Sequence, residues 1–335
     1  MVIDNLGEVL KNEPSYRLQQ AKKAVFKDLL ESWGEATSLP LVLRQKLEKD
    51  CPLSINGKTF VSQDKQTIKS LITLKDGLAV ESVLMRNKDG RNTVCISSQI
   101  GCPLGCSFCA TGKMGFKRNL EVQEIIEQVL FFARILQREK QKITNIVFMG
   151  MGEPFLNYDN VLAAIRALNN KDGLNLGARH FSISTVGIIE GIEKMAGENL
   201  EVNLAISLHS PDEKMRQELM PISKKYSIVN IIGAVDDYIK RTHRRVMFEY
   251  IMINGVNDSD YCGEKLAKLM KKPLYFVNLI VYNPTGVFNP SSLERIARFR
   301  KILESKGVAV TQRYRFGDDV AAACGQLASV NLPKK

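Results

Sequence analysis

Between residues 93 and 281, short apolar runs alternate with amphipathic segments of helical period, and this alternation restricts what the chain can become more than any other feature. Strands are expected at Thr93, Asn145 to Met149, Phe181 to Ser184, Val202 to Leu208, Val246 to Ile253 and Tyr275 to Val281. Helices are expected between them, over Leu120 to Leu136, Asp159 to Leu168, Ile188 to Met195, and around 226–240 and 258–271. Repeated strand–helix–strand order predicts a parallel sheet with its helices outside. Counted from the strand at Thr93 there are six β/α units, which points to an α/β fold of the partial (β/α)6 barrel type, short of a closed eight-fold barrel. In such barrels the ligand-binding side chains stand at the carboxyl ends of the strands.

The chain ahead of this region reads differently. Residues 1–55 carry apolar positions at three- and four-residue intervals, among them Ala21, Val25, Leu29, Leu43 and Leu47, which predicts a small helical domain. It holds Trp33 together with Arg17, Lys22, Lys23, Lys27 and Arg44, a set that suits an RNA-gripping accessory or a simple packing cap. Residues 56–92 alternate and are punctuated by Asp76-Gly77 and Asp89-Gly90, the pattern of a β-meander that runs into the barrel over Arg91 to Ser97. The barrel is expected over 93–310 and a separate C-terminal segment over 311–335.

With 335 residues, 44% of them hydrophobic, the chain can bury a large core. It contains no unbroken apolar run of about 18 residues, and its first residues lack a basic flank followed by an apolar segment, so no membrane association and a cytoplasmic location are expected. Seven cysteines, an odd number and clustered, argue against a secreted disulfide framework. A net charge of +11 favours a polyanionic partner, with nucleic acid the first candidate. Basic residues gather at Lys113, Lys117 and Arg118, at Lys224 and Lys225, at Lys240, Arg241, Arg244 and Arg245, and at Arg313 and Arg315.

Three of the cysteines, Cys102, Cys106 and Cys109, fall within one loop from Gly101 to Gly112 and are spaced by Pro, Gly and small residues. Thiolates so arranged can wrap one soft metal centre. No fourth Cys or His follows at the spacing of a closed structural zinc site or a ferredoxin cluster, so one coordination position stays open, unless a distant residue completes a zinc knob. The spacing C-x3-C-x2-C resembles the signature of radical S-adenosylmethionine (SAM) enzymes, whose 4Fe–4S cluster keeps one iron free for the cofactor.

Other candidates lie at strand ends. Met149-Gly150-Met151-Gly152-Glu153-Pro154 follows one strand, its glycines permitting close backbone approach and Glu153 suited to a ligand ammonium group, and it lacks the third glycine of a dinucleotide fingerprint. Ser184-Thr185, Ser207-Leu208-His209-Ser210 and Asn283-Pro284 end three more. Glu81 sits among Val80, Val83 and Leu84, where a partly desolvated carboxylate can serve as a base or an edge charge can deter aggregation. Cys95 lies seven residues before Cys102, in the position of a buried structural thiol. Cys324, flanked by Ala and Gly, is placed as an accessible nucleophile, while Cys51 and Cys262 read as structural.

Taken together the chain resembles the radical SAM RNA methyltransferases that modify adenine, the RlmN and Cfr family, almost end to end. The resemblance runs through Tyr16-Arg17, Leu39-Pro40, Cys95-Ile96-Ser97-Ser98-Gln99, the cysteine loop, Gly150-Met151-Gly152-Glu153-Pro154, Ser207-Leu208-His209, Tyr282-Asn283-Pro284 and Ala322-Ala323-Cys324-Gly325-Gln326-Leu327. It departs at Ala321, where the family usually has an acidic residue. The resemblance implies that Cys102, Cys106 and Cys109 hold the 4Fe–4S cluster, and that Gly152, Glu153, Ser184, Ser207, Leu208, His209 and Asn283 bind SAM, two molecules per turnover. It implies that Cys324 is methylated first and then loses hydrogen to a deoxyadenosyl radical, that Glu81 is the base, and that Cys95 resolves the protein–RNA thioether through a transient disulfide with Cys324. The implied substrates are an adenosine of the peptidyl-transferase centre of 23S rRNA and, for the C2-methylating RlmN branch, the tRNA adenosine beside the anticodon. C8 methylation of the same rRNA adenosine, the Cfr reaction, is the alternative; Arg118-Asn119-Leu120 and Pro154 favour C2. A flavoprotein or ferredoxin donor and a monomeric enzyme are expected. A non-catalytic iron–sulfur RNA-binding protein would need none of Glu81, Cys95 or Cys324.

Overall fold

The computed structural model describes residues 2–313 and 316–328, so Arg315 of the basic residues named above lies outside the described residues. Helices α1 (Val2–Val9), α2 (Ser15–Phe26) and α3 (Leu41–Asp50) come first, with Pro14 and Pro40 immediately preceding the second and third, where proline's missing N–H costs the helix nothing. Trp33 is fully buried among these helices, and its indole N–H donates to the Cys51 carbonyl at 2.7 Å, so it is a packing residue.

Four strands follow, β1 (Gly57–Val61), β2 (Thr67–Thr73), β3 (Ala79–Arg86) and β4 (Asn92–Ile96), each antiparallel to the next. A small hairpin of β5 (Gln99–Gly101) and β6 (Phe116–Asn119) encloses the cysteine loop and the short α4 (Ala110–Lys113). From α5 (Val122–Arg138) onward, strand and helix alternate: β7 (Asn145–Phe148), α6 (Tyr158–Asn169), β8 (Phe181–Thr185), α7 (Ile189–Ala196) and β9 (Asn203–Ser207). Then come α8 (Glu213–Leu219), α9 (Ile228–Thr242), β10 (Val246–Met252), α10 (Asp260–Met270), β11 (Tyr275–Val281), α11 (Leu293–Ser305) and β12 (Val310–Gln312).

All strands but β5 and β6 form one sheet in the order β1-β2-β3-β4-β7-β8-β9-β10-β11-β12. The strand β4 joins its two halves, antiparallel to β3 and parallel to β7. The six expected parallel strands are present, and β12 adds a seventh, parallel to β11, too short at three residues to show a period in sequence. Strands covered on both faces read as nearly continuous apolar runs, and β10 and β11 are almost wholly buried. The later crossover helices start alike: Ser227, Ser259 and Ser292 cap α9, α10 and α11, each accepting from the backbone N–H three residues on.

Because side chains alternate along a strand, every second residue faces the barrel lumen. Thr93, Asn145, Ser182 and Met247 line it near the amino ends of the parallel strands, and Met149, Ser184, Ser207 and Ile251 line it toward the carboxyl ends.

Candidate active site

The cysteine loop is held by its hairpin. Gly101 has φ +73°, and the N–H of Cys102 donates to the Gly115 carbonyl at 3.1 Å; a Cβ on Gly101 would fall 1.8 Å from that same oxygen. The N–H of Ser107 donates to the Leu219 carbonyl at 2.9 Å, anchoring the loop to the end of α8. Cys106 is buried and Cys102 and Cys109 are half-buried. Burial pushes the Cys102 thiol up to about 12, and burial with the neighbouring Cys109 and Cys102 pushes Cys106 higher still. Such thiols give up their protons to a cation that replaces them.

All three cysteines border a cavity of about 150 Å³ at the carboxyl ends of the strands, together with Gly152, Glu153, Ser184, Ser207 and His209. Gly152 has φ +99° and passes so close to Gln99 that a Cβ would meet its side chain at 2.6 Å. Glu153 is buried with both oxygens engaged: one accepts the Phe155 N–H at 3.0 Å and the other the Val186 N–H at 2.9 Å. Burial nevertheless raises its carboxyl to about 7. The hydroxyls of Ser184 and Ser207 lie 3.4 Å apart. His209, buried and at φ +58°, stands edge-on to Phe108, and its Nδ1 accepts the Ile251 N–H at 3.2 Å. Burial, assisted by Arg216, lowers it to about 3, so the ring is neutral with its proton on Nε2.

Two of the expected cofactor residues stand apart from this group. Leu208 is fully buried and its backbone is already engaged, its N–H on the Glu249 carbonyl and its carbonyl on Arg216. Asn283 lines a second cavity, its Nδ2 donating to the Cys324 carbonyl at 3.2 Å while its Oδ1 is buried without a partner among the described residues.

That second cavity, about 430 Å³, occupies the lumen toward the amino ends of the strands and is lined by Cys95, Asn145, Asn278 and Cys324 among others. The two cavities share a wall made by Met149, Ile280, Arg313, Cys324 and Leu327. Cys95 and Cys324 are both free thiols, and burial, then the nearby Cys324, pushes Cys95 up to about 12. Glu81 is buried on β3, and Lys69 on β2 stands 3.3 Å from one of its oxygens. Burial raises its carboxyl against the pull of Lys69. Lys69 also reaches the carbonyl of Ala321, so the C-terminal segment lies over this pair. Ala321, at φ +49°, ends a short turn, and its contribution here is that main-chain oxygen.

Residues 96–263 match the radical SAM superfamily. Over 99% of its length the chain is 41% identical to a probable dual-specificity RNA methyltransferase RlmN of Dictyoglomus thermophilum, covering 97% of that protein. It is 42% identical to the ribosomal RNA large subunit methyltransferase N of Nitrosopumilus maritimus, over 93% of this chain and 92% of that one. The crystal structure of a radical SAM methyltransferase from Sphaerobacter thermophilus superposes with a TM-score of 0.94 at 42% identity, covering 98% and 97% of the two chains. This chain is an RlmN-family radical SAM methyltransferase. Like the family, it uses a 4Fe–4S cluster and SAM. The residues present fit both: three thiols border the same cavity as a buried carboxylate, two adjacent hydroxyls and a neutral imidazole.

The RlmN-family barrel also holds residues that sequence reading passed over. Glu249, in the middle of the apolar run of β10, lines the cofactor-side cavity, bonded to Asn278 at 2.9 Å. A carboxylate inside an apolar strand is the signal that singled out Glu81, and it applies equally to Glu249. Arg216 is fully buried and donates to the carbonyls of Val186, Ser207, Leu208 and Tyr226, binding two strand ends together. Arg313, counted above among the clustered basic residues, faces the lumen. Of the other basic residues, Arg118 is engaged by Asp76 and Glu124.

Proposed function

We propose that this enzyme forms 2-methyladenosine in the peptidyl-transferase centre of 23S rRNA and in tRNA beside the anticodon. The position of Cys324 carries this reading: its thiol lines both the cofactor-side cavity and the larger cavity where a nucleobase fits. Adenine C2 is electron-poor and does not attack a methyl sulfonium, so the carbon has to arrive as a radical carried on a protein sulfur.

Cys102, Cys106 and Cys109 hold the cluster, and Gly152, Glu153, Ser184, Ser207 and His209 bind SAM, with Leu208 and Asn283 supporting them through the backbone and through the Cys324 loop. When bound, these groups supply a methyl cation equivalent, an electron and a hydrogen-abstracting radical. Cys324 accepts the methyl group and later delivers it to the ring. Glu81, a buried carboxyl raised by desolvation, takes the proton from C2. Cys95, beside Cys324 on the larger cavity, attacks its sulfur to release the RNA. A flavoprotein or ferredoxin supplies the electron, and the net charge of +11 suits an RNA substrate.

Nucleoside mass spectrometry after incubating anaerobically reconstituted enzyme with 23S rRNA fragments or tRNA, SAM and reductant is the test. 2-Methyladenosine is the expected product in both RNAs. 8-Methyladenosine would replace this reading by the C8 reaction, and no methylated adenosine from an enzyme with an intact cluster would end it.

A further inference from the structure

We propose that Glu249 is a cofactor-binding residue whose carboxyl group hydrogen-bonds a ribose hydroxyl of SAM. The inference rests on the placement of SAM against Ser184 and Ser207 given above.

A row of polar side chains crosses the lumen wall from strand to strand. Ser207 on β9 is in register with Glu249 on β10, Glu249 with Asn278 on β11, and Asn278 with Thr311 on β12. Residues in register on neighbouring parallel strands send their side chains to the same face, which here is the lumen. Ser184 on β8 joins the row through its hydroxyl, 3.4 Å from that of Ser207. At the other end the Thr311 hydroxyl donates to Asn278 Oδ1 at 3.0 Å, and Asn278 Nδ2 donates to Glu249 Oε2 at 2.9 Å. The remaining oxygen of Glu249, Oε1, has no hydrogen-bond partner among the described residues, although the residue is only 2% exposed. Arg313 acts on Glu249 through its charge, while its Nη1 and Nη2 donate to Cys324 Sγ at 3.4 Å and Met149 Sδ at 3.1 Å. Glu153, the other carboxyl group on this cavity, has both oxygens on backbone N–H groups. The row is therefore interrupted at one place, between the Ser207 hydroxyl and Glu249 Oε1.

A buried carboxyl oxygen without a partner destabilises a fold unless a ligand supplies one. Glu249 borders the cofactor-side cavity together with Ser184 and Ser207, whereas Asn278 and Thr311 border the larger one, so the ligand that meets Oε1 is SAM and not the RNA base. Ribose presents two neighbouring hydroxyls to such a row. Serine hydroxyls donate as readily as they accept, and an ionised carboxylate adds an acceptor with no proton of its own. Acidic side chains hold ribose hydroxyls in dinucleotide sites for the same reason. Burial raises the Glu249 carboxyl while Arg313 and the Asn278 amide pull it back; a ribose hydroxyl, which both donates and accepts, bonds either form.

The test measures binding without turnover. S-adenosylhomocysteine, which keeps the ribose and has no methyl group to give, is dialysed to equilibrium against cluster-loaded enzyme under anaerobic conditions without reductant. Glu249→Gln keeps the shape of the side chain and removes its charge, and it is expected to raise the dissociation constant about tenfold. Analogues lacking the 2′- or the 3′-hydroxyl assign the contact: with one of the two, wild type and Glu249→Gln should bind alike. Unchanged affinity in Glu249→Gln overturns the proposal. So does a loss that persists with both analogues, since the contact would then be to another part of the ligand. Should Glu249→Gln fail to assemble its cluster, wild type decides alone: it should bind one deoxy analogue about tenfold more weakly than the parent compound, and equal affinity for all three overturns the proposal. Ser207→Ala separates the inference from the reading beneath it. Weakened binding in Ser207→Ala with unchanged binding in Glu249→Gln removes Glu249 alone, whereas unchanged binding in both removes the placement of SAM in this cavity as well.

Discussion

Glu153 and His209 stand on one cavity, after β7 and β9, and the same burial favours the neutral form of both by moving them in opposite directions. The imidazole, at about 3 in the fold against about 6.5 in an unfolded chain, binds fewer protons when folded. It therefore favours the fold above about pH 6.5, and that contribution is lost as pH falls through the window from about 6.5 to about 3. The ring resonances of His209 should not move between about pH 8 and pH 5; a midpoint near 6.5 would mean that the ring is solvated. Cys95 permits a sharper test at this scale. Cys95→Ala should accumulate a covalent enzyme–RNA adduct, visible as a protein band that ribonuclease collapses, with turnover reduced by orders of magnitude. Free turnover in that variant would remove Cys95 from the mechanism.

The hairpin around the cysteine loop works as an element because two backbones meet at Gly101 and Gly115. No side chain fits between them, and the left-handed φ of Gly101 penalises any L-residue there as well. Gly101→Ala is expected to part β5 from β6 and displace Cys102, so iron bound per chain after reconstitution should fall by more than half while far-UV circular dichroism stays close to wild type. Iron content equal to wild type would show that the loop tolerates an open hairpin. The longer elements are legible in the sequence, since the apolar runs of β7 to β11 and the serines that cap α9, α10 and α11 are local signals, each contained in a dozen residues. The three residues of β12 and the four of β6 carry no such period, and their pairing is set by partners distant in sequence.

Across the whole molecule, the N-terminal helices and the barrel meet on α5. The buried guanidinium of Arg134 donates to the carbonyls of Leu53 at 2.9 Å and Leu30 at 2.6 Å, and the side-chain amide of Gln137 donates to the Asp28 carbonyl at 3.2 Å. Arg134→Ala leaves two carbonyls unsatisfied, a cost of about 1–3 kcal/mol each where they stay dry. Limited proteolysis of that variant should cut within residues 27–56 several times faster than wild type while the barrel fragment persists; an unchanged cleavage rate would show that Arg134 is not what ties the helices down. The antiparallel strands β1–β3 are continuous with the barrel sheet through β4, so Glu81 and Lys69 stand on the same surface as the lumen residues of β4 and β7, beneath the C-terminal segment.

The amino-acid order by itself determined the parallel β/α series, the cysteine loop, and the thiols at 95 and 324, since each is a matter of residue type and short spacing. It also named Glu153, Ser184, Ser207 and His209, because strand ends can be located from the strands themselves. What only the tertiary structure decided is which polar groups share a cavity: Glu249 and Arg313 join the site, and Asn283 turns to the Cys324 backbone. The physical reason is that facing the lumen depends on pleat and register summed across seven parallel strands. A charged side chain looks the same in sequence whether it ends up solvated on a helix or aimed at a sulfur atom inside the barrel.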